Sequence, residues 1–320
     1  MKSIYMDERW GILQQEKEKG EAITYTYDKD EIRIIYPFIK RKAGIINGIQ
    51  YFDIVTPRGQ CGPWIENCDT ANIISLINSF DMEFAEYCNK EMIVAEYIRF
   101  SPWMNNVYDF SSIYDIQFYG YLYCNDLTYD FFKIEYSSKK RNKIRKAEKN
   151  GVEIRFDKSF DSIEKFLELY SFTSSKYDFN DYYTLDSSFL EQYLKKFPEE
   201  TIFAQALYKG EVISSAIILL GEDIVHYHFA ANHPEYTSLQ GNSLLIYKVS
   251  LYAAKKGKKI IDLGGARKGS ALERFKKSFV CRGKMYPYSI GTKIRDNNIY
   301  NTLIEKVGEP KKGYFPAYRK

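Results

Sequence analysis

A mixed α/β fold in two domains is predicted by three observations. Apolar runs of strand length alternate with amphipathic stretches of helix length, this rhythm restarts after residue 136, and 320 residues exceed one ordinary domain. The boundaries read as 1–136 for an N-terminal domain and 137–320 for a C-terminal domain. Apolar residues make up 45% of the chain, enough to build a core and to exclude a disordered or collagen-like chain. The high counts of 29 Tyr and 21 Phe suit strands and the walls of clefts.

The elements follow in order. ITYTY (23–27), EIRIIYPFIKRK (31–42) and YFDIVT (51–56) alternate or run apolar, with Gly and Asn between them, and read as strands. Asp69-Thr70 can cap a helix in which Ile73, Ile74, Ile77, Phe80, Phe84 and Tyr87 recur at helical spacing. MIVAEYIRF (92–100) and YDIQFYGYLY (114–123) return to strand character. Ser137-Ser138 opens a basic helix that Asn150-Gly151 closes. Beyond it come the strand VEIRF, a helix from Asp161 to about Tyr177 and another around Phe189–Phe197. Three strands fill 201–231, followed by the helix SLLIYKVSLYAAKKG, the strand KIIDLGG, the helix SALERFKKSF and the strand MYPYSIG. A last helix lies near Asn297–Val307. The matching rhythm of the halves suggests a duplicated α/β unit, without a residue-level repeat.

Charge and cysteine content narrow the function. Lys plus Arg number 46 against 42 Asp plus Glu, so an anionic partner must be met by a local patch. Cys61, Cys68, Cys88, Cys124 and Cys281 form no CxxC pair, which fits a reducing compartment. The opening MKSIYMDERWGILQQEKEKG has charge where a signal peptide needs an apolar core. The longest apolar stretch, around Val212–Leu220, is about half a bilayer span. A cytoplasmic protein with no transmembrane segment is expected.

The most informative stretch runs from Val225 to Phe279. HYHFAA is a strand, and Gly241-Asn242-Ser243 then opens a helix, whose unpaired N–H groups suit a pyrophosphate or carboxylate of a donor. The alternative is a plain helix cap by Asn242 or Ser243. IIDLGG ends in Asp262, Gly264 and Gly265, at the carboxyl end of a strand, where ligands of open α/β sheets bind. The alternative there is a turn whose backbone donors satisfy Asp262. In FKKSF, Phe275 and Phe279 face the core and Lys276 points elsewhere, which could place an ammonium against an oxyanion or phosphate. Arg141 and Arg145 lie on the basic helix with Lys139, Lys140, Lys143, Lys146 and Lys149, a density suited to phosphates or to solvent. Tyr227 stands between His226 and His228, and with Phe275 is a candidate for substrate contact. The histidines lack the spacing of a zinc site, so no metal is expected, and neither G-x-S-x-G nor a P-loop is present.

RNKIRKAEKNGVEI, HYHFAA, LLIYKVSLYAAKKGKKIIDLGG and ALERFKKSF, in that order, resemble the Fem-type peptidoglycan aminoacyltransferases, relatives of the GNAT acetyltransferases. YFDIVTPRGQCGP is similar to a family strand and turn, with Arg58-Gly59-Gln60-Cys61-Gly62-Pro63 in place of Tyr-Gly-Tyr-Gly-Gly-Pro. The resemblance implies two tandem GNAT-like acyltransferase domains with the active site in the second. It implies transfer of an aminoacyl group from aminoacyl-tRNA to an amine of a cell-envelope precursor. The family's F-K-x-x-F pair falls on Phe275-Lys276, its aspartate before Gly-Gly on Asp262, and its phosphate-side basic region on Arg141 and Arg145.

An amine attacking an activated carbonyl needs a held carbonyl and a donor for the developing oxyanion. Lys276 is expected to stabilise that charge, Asp262 to orient or deprotonate the amine, and N–H groups near Gly241–Ser243 to hold the donor. The donor is aminoacyl-tRNA or, alternatively, an acyl-CoA used on a sugar amine or amino acid, and no cofactor is tightly bound. A non-catalytic binding module remains the third reading.

Overall fold

The computed structural model describes residues 1–29, 31–66, 72–177, 184–309 and 313–319. In chain order the first elements are α1 (Glu8–Glu18), β1 (Gly20–Lys29), β2 (Ile32–Ile46), β3 (Ile49–Val55), β4 (Trp64–Glu66), α2 (Ile73–Lys90) and β5 (Ile93–Arg99). They continue through α3 (Asn106–Phe110), β6 (Asp115–Asp126), α4 (Phe131–Ile134), α5 (Ser138–Lys149), β7 (Glu153–Asp157), α6 (Asp161–Tyr177) and α7 (Ser187–Lys196). The rest are β8 (Thr201–Tyr208), β9 (Glu211–Leu220), β10 (Ile224–Asn232), α8 (Gly241–Lys255), β11 (Ile260–Gly265), α9 (Ala271–Lys277), β12 (Met285–Ile294) and α10 (Asn297–Val307). The mixed α/β class is as expected. The residues group into unit 1, Met1–Ile4 with Tyr121–Tyr286, and unit 2, Tyr5–Gly120 with Pro287–Lys320.

Two-residue turns with both φ angles positive build the hairpins. Asn47-Gly48 (50° and 81°) joins β2 to β3, and Lys209-Gly210 (52° and 84°) joins β8 to β9. That backbone twist matches the twist of antiparallel strands, and glycine enters it without steric cost.

In unit 2 the strands order as β1-β2-β3-β5-β12, with β4 on β2 and β3 parallel to β5. Helix α2 buries Leu76, Ile77, Phe80, Phe84 and Cys88 in one core with Tyr36, Phe38 and Ile98. Its cap is Asn72, whose Oδ1 accepts from Ser75 N–H at 3.3 Å; Asp69-Thr70 and Cys68 lie outside the described residues. Helix α1 has no counterpart in the sequence reading. It buries Gln14 and Glu18 beside Trp10 and Leu13, so its inner face carries no apolar stripe.

In unit 1 the order is β6-β11-β10-β9-β8-β7. Residues of β8 and β9, among them Ile202, Ala204, Ala206, Ile213, Ala216 and Ile218, meet Leu244, Leu245, Ile246 and Val249 of α8 in one core. Each such leucine or isoleucine contributes roughly 1.5–3 kcal/mol by leaving water. The parallel pair β10–β11 is short: Ile224, Val225 and His226 pair with Ile260, Ile261 and Asp262, and no further. On its other side β10 slips register against β9 between Tyr227 and Phe229. The pairing of the two strands thus ends at His226 and Asp262, towards the carboxyl ends of both. Among the described residues no helix is long and apolar enough to cross a membrane.

Candidate active site of unit 1

Lys276 and Asp262 meet at the carboxyl end of β11, and Tyr227, Asn242, Ser243 and Phe275 gather around the start of α8. Lys276 is half-buried, and its Nζ donates to Gly265 O at 2.7 Å. Burial lowers its pKa to about 8, against the raising effect of the Asp262 charge. Its helix, α9, is fixed by a reciprocal cap. Ser270 Oγ accepts from Glu273 N–H at 3.0 Å, and the Glu273 carboxylate accepts from Gly269 N–H at 2.6 Å and from Tyr123 Oη–H at 2.9 Å. The adjoining Gly264 has φ +76°, and a Cβ there would stand 3.2 Å from Lys276 Nζ. The backbone at this turn favours glycine, and a side chain there would also crowd the ammonium.

Asp262 is 5% exposed and heavily engaged. Its Oδ1 accepts from Gly264 N–H at 2.7 Å and lies 3.6 Å from Cys124 Sγ, while Oδ2 lies 3.1 Å from His226 Nδ1. The turn reading of this residue and its position at the strand end are both met. Its oxygens face protein donors, so in this geometry it orients groups rather than presenting an open base.

The first turn of α8 is set by packing. Gln240 enters it at φ 60° with no side-chain cap, and a Cβ on Gly241 would come within 3.0 Å of Ile213 Cδ1 and 3.3 Å of Ala206 Cβ. The glycine lets the helix start lie against β8 and β9. Asn242 Oδ1 accepts from the Tyr227 hydroxyl, which ties β10 to α8. Ser243 is buried and its Oγ accepts from Lys140 Nζ at 3.0 Å.

Lys140 is the residue that the sequence reading passed over in favour of Arg141 and Arg145. It is 4% exposed, and its Nζ stands 4.1 Å from the centre of the Phe275 ring and 4.2 Å from that of Phe279. Burial, and then the nearby Lys143, lowers its pKa to about 7. The two ring faces and the Ser243 hydroxyl compensate the charge in part. Among the described residues no carboxylate pairs with it. A signal was present: Lys140 shares the stripe of Ile144 and Ala147, the buried side of α5. Arg141 instead donates to Lys133 O at 3.1 Å and to Tyr136 O, tying α5 to the α4 turn. Arg145 is exposed, donates to Asn142 Oδ1 at 3.2 Å and stacks 5.6 Å from the Phe132 ring. His228 lies 3.1 Å from the Tyr193 hydroxyl, away from His226. Among the described residues no three His, Cys, Asp or Glu side chains form a metal cluster.

The arrangement provides a cation beside a glycine turn, a second and more buried cation at a helix start, and aromatic walls. Comparison with known proteins agrees with such chemistry. Residues 136–277 match the acetyltransferase (GNAT) domain family. Among solved structures, FemX is 14% identical with a TM-score of 0.71 over 94% of each chain. The C-terminal domain of a putative lysylphosphatidylglycerol synthetase from Agrobacterium fabrum is 12% identical with a TM-score of 0.58, covering 92% of this chain and 90% of that one. L-PGS from Bacillus licheniformis is 13% identical with a TM-score of 0.55, covering 93% and 95%. No curated protein matches by sequence. The chain has the Fem-type GNAT-like fold and is an acyltransferase.

Proposed function

We propose that this acyltransferase moves an aminoacyl group from aminoacyl-tRNA to an amine of a peptidoglycan or other cell-envelope precursor, with the chemistry in unit 1. The observation that carries the reading is Lys276, a desolvated ammonium held against Gly265 O at the carboxyl end of β11. The acceptor amine attacks the ester carbonyl, the C–N bond forms, and negative charge gathers on the carbonyl oxygen. An ammonium in a low-dielectric site stabilises that oxygen far better than water does. Collapse breaks the C–O bond, and the ribose hydroxyl leaves with the proton lost by the amine. Asp262 aligns the Gly264 turn, and Lys140 with the first turn of α8 faces the anionic part of the donor.

The GNAT match over 136–277 favours a second reading, in which the donor is an acyl-CoA and the leaving group a thiol. One experiment separates them. Purified protein is offered charged tRNA with a muropeptide precursor, or acetyl-CoA with amino sugars, and the acylated amine is quantified by mass spectrometry. Product with charged tRNA alone supports the first reading, and product with acetyl-CoA alone replaces it by the second. In either system Lys276→Met lowers kcat by about 10²–10³-fold, the usual loss on removing an oxyanion donor. Full activity in that variant sinks the assignment of Lys276.

A further inference from the structure

A buried polar chain in unit 1 is left over from the transfer chemistry. The first residues of the protein are docked against the β9–β10 turn. Lys2 N–H donates to Asp223 Oδ2 at 2.8 Å, and Asp223 N–H donates to Lys2 O at 3.1 Å. A Cβ on Gly221 would lie 2.8 Å from Ile4 N, so the segment packs where only a glycine lets it. This docking delivers Ser3 to His226, with Oγ 2.7 Å from Nε2. His226 Nδ1 in turn lies 3.1 Å from Asp262 Oδ2, and Asp262 Oδ1 receives Gly264 N–H at 2.7 Å. A carboxylate only accepts, so Nδ1 carries a proton towards Asp262, and Nε2 shares its hydrogen bond with the Ser3 hydroxyl. Ser3, His226 and Asp262 are 6%, 1% and 5% exposed.

Serine, histidine and aspartate stand here in the hydrogen-bonding order of acyl-transfer triads. The serine hydroxyl, however, is buried beneath the docked segment, and the free end of the chain of bonds is the Gly264 turn beside Lys276. We propose that Ser3 and His226 are positioning residues for acyl transfer, fixing the Asp262 carboxylate against the Gly264 turn and thereby the place and charge of the Lys276 ammonium. The inference rests on the role given to Lys276 above. The groups that face this ammonium are Asp262 from β11 and Cys124 from β6, with His226 of β10 behind Asp262. Burial favours the neutral amine and Asp262 opposes it. A carboxylate released from the turn opposes it less, so Lys276 would lose its proton at lower pH.

The test uses the full chain with Ser3→Ala, His226→Gln and Ser3→Thr, each checked for folding by circular dichroism. Two quantities are read: the pH profile of kcat and KM, and the titration of Lys276 from the pH dependence of its labelling by acetic anhydride. His226→Gln lowers kcat about tenfold, the scale of one hydrogen bond to a charged group, and leaves KM unchanged. Its alkaline limb and the Lys276 titration both move below about 8. Ser3→Ala shifts both in the same direction by less, and Ser3→Thr restores them. Folded variants with an unmoved Lys276 titration overturn the inference. Labelling needs no turnover, so it decides the matter even if Lys276→Met proves fully active and the proposed site fails. Covalent capture of Ser3 by a fluorophosphonate also overturns it, in favour of a nucleophilic serine.

Discussion

At the scale of single residues, burial lowers the pKa of two lysines of unit 1, Lys140 and Lys276. An unfolded lysine holds its proton to about 10.4, whereas Lys140 in the folded chain releases it near 7. Between those values the unfolded state binds more protons than the native one, so stability rises with pH in that window. The slope from one such group is about 1.4 kcal/mol per pH unit. Below about 7 the buried charge is present and its full cost is felt. Lys140→Met removes the charge and keeps an unbranched side chain between Phe275 and Phe279. Urea unfolding of the variant should show a higher midpoint than wild type at neutral pH and a smaller rise towards pH 10. A lower midpoint at neutral pH would mean that the two rings and Ser243 more than offset desolvation. The same variant should bind any anionic donor more weakly, because it strips the cation from the start of α8.

The elements show why one part of the molecule was legible in the sequence and another was not. Helical spacing located α5, α8 and α10, whose buried residues recur on one side, and continuous apolar runs of strand length located β8, β9 and β11, which are buried on both faces. Helix α1 escaped because Gln14 and Glu18 occupy its inner face, where Glu18 approaches Arg41 and Arg99 at 3.7 Å. The residues of the site divide in the same way. Asp262, Lys276 and Gly241 sit at strand or helix ends, which pattern reveals. Ser3 meets His226 across 223 positions, a contact that no local period encodes. Lys140 was hidden among other lysines, although its spacing to Ile144 and Ala147 put it on the buried stripe. Gly241 tests what the start of α8 is built for. Its Cβ position is filled by Ile213 and Ala206. Gly241→Ala therefore overpacks the α8–sheet contact and should cost about 1–3 kcal/mol in denaturant unfolding. A neutral effect would mean that the glycine serves ligand approach alone.

For the whole molecule, the division of labour follows from where the unpaired chemistry lies. Unit 2 also contains buried charge, but there it is matched: Glu96 accepts from Tyr114 Oη at 2.9 Å and from Arg295 Nε, and Asp53 accepts from Arg41 Nε at 2.9 Å. Matched buried ions specify a fold and leave no charge for a ligand to answer. In unit 1, by contrast, Lys140 has no carboxylate partner among the described residues, and Lys276 donates to a carbonyl with Asp262 near it but hydrogen-bonded to other groups. On the proposed function, a ligand that brings negative charge should find its counterpart in unit 1. Hydrogen exchange read by mass spectrometry locates it without assuming turnover. A saturating non-hydrolysable donor analogue should slow exchange of the amides around Gly241–Leu244 and Gly264–Gly265, since local opening becomes rarer by the factor that binding adds to native stability. Amides of α2, packed in the aromatic core of unit 2, should keep their rates. Protection confined to unit 2 would move the donor away from Lys140 and Lys276 and leave those lysines with a purely structural role.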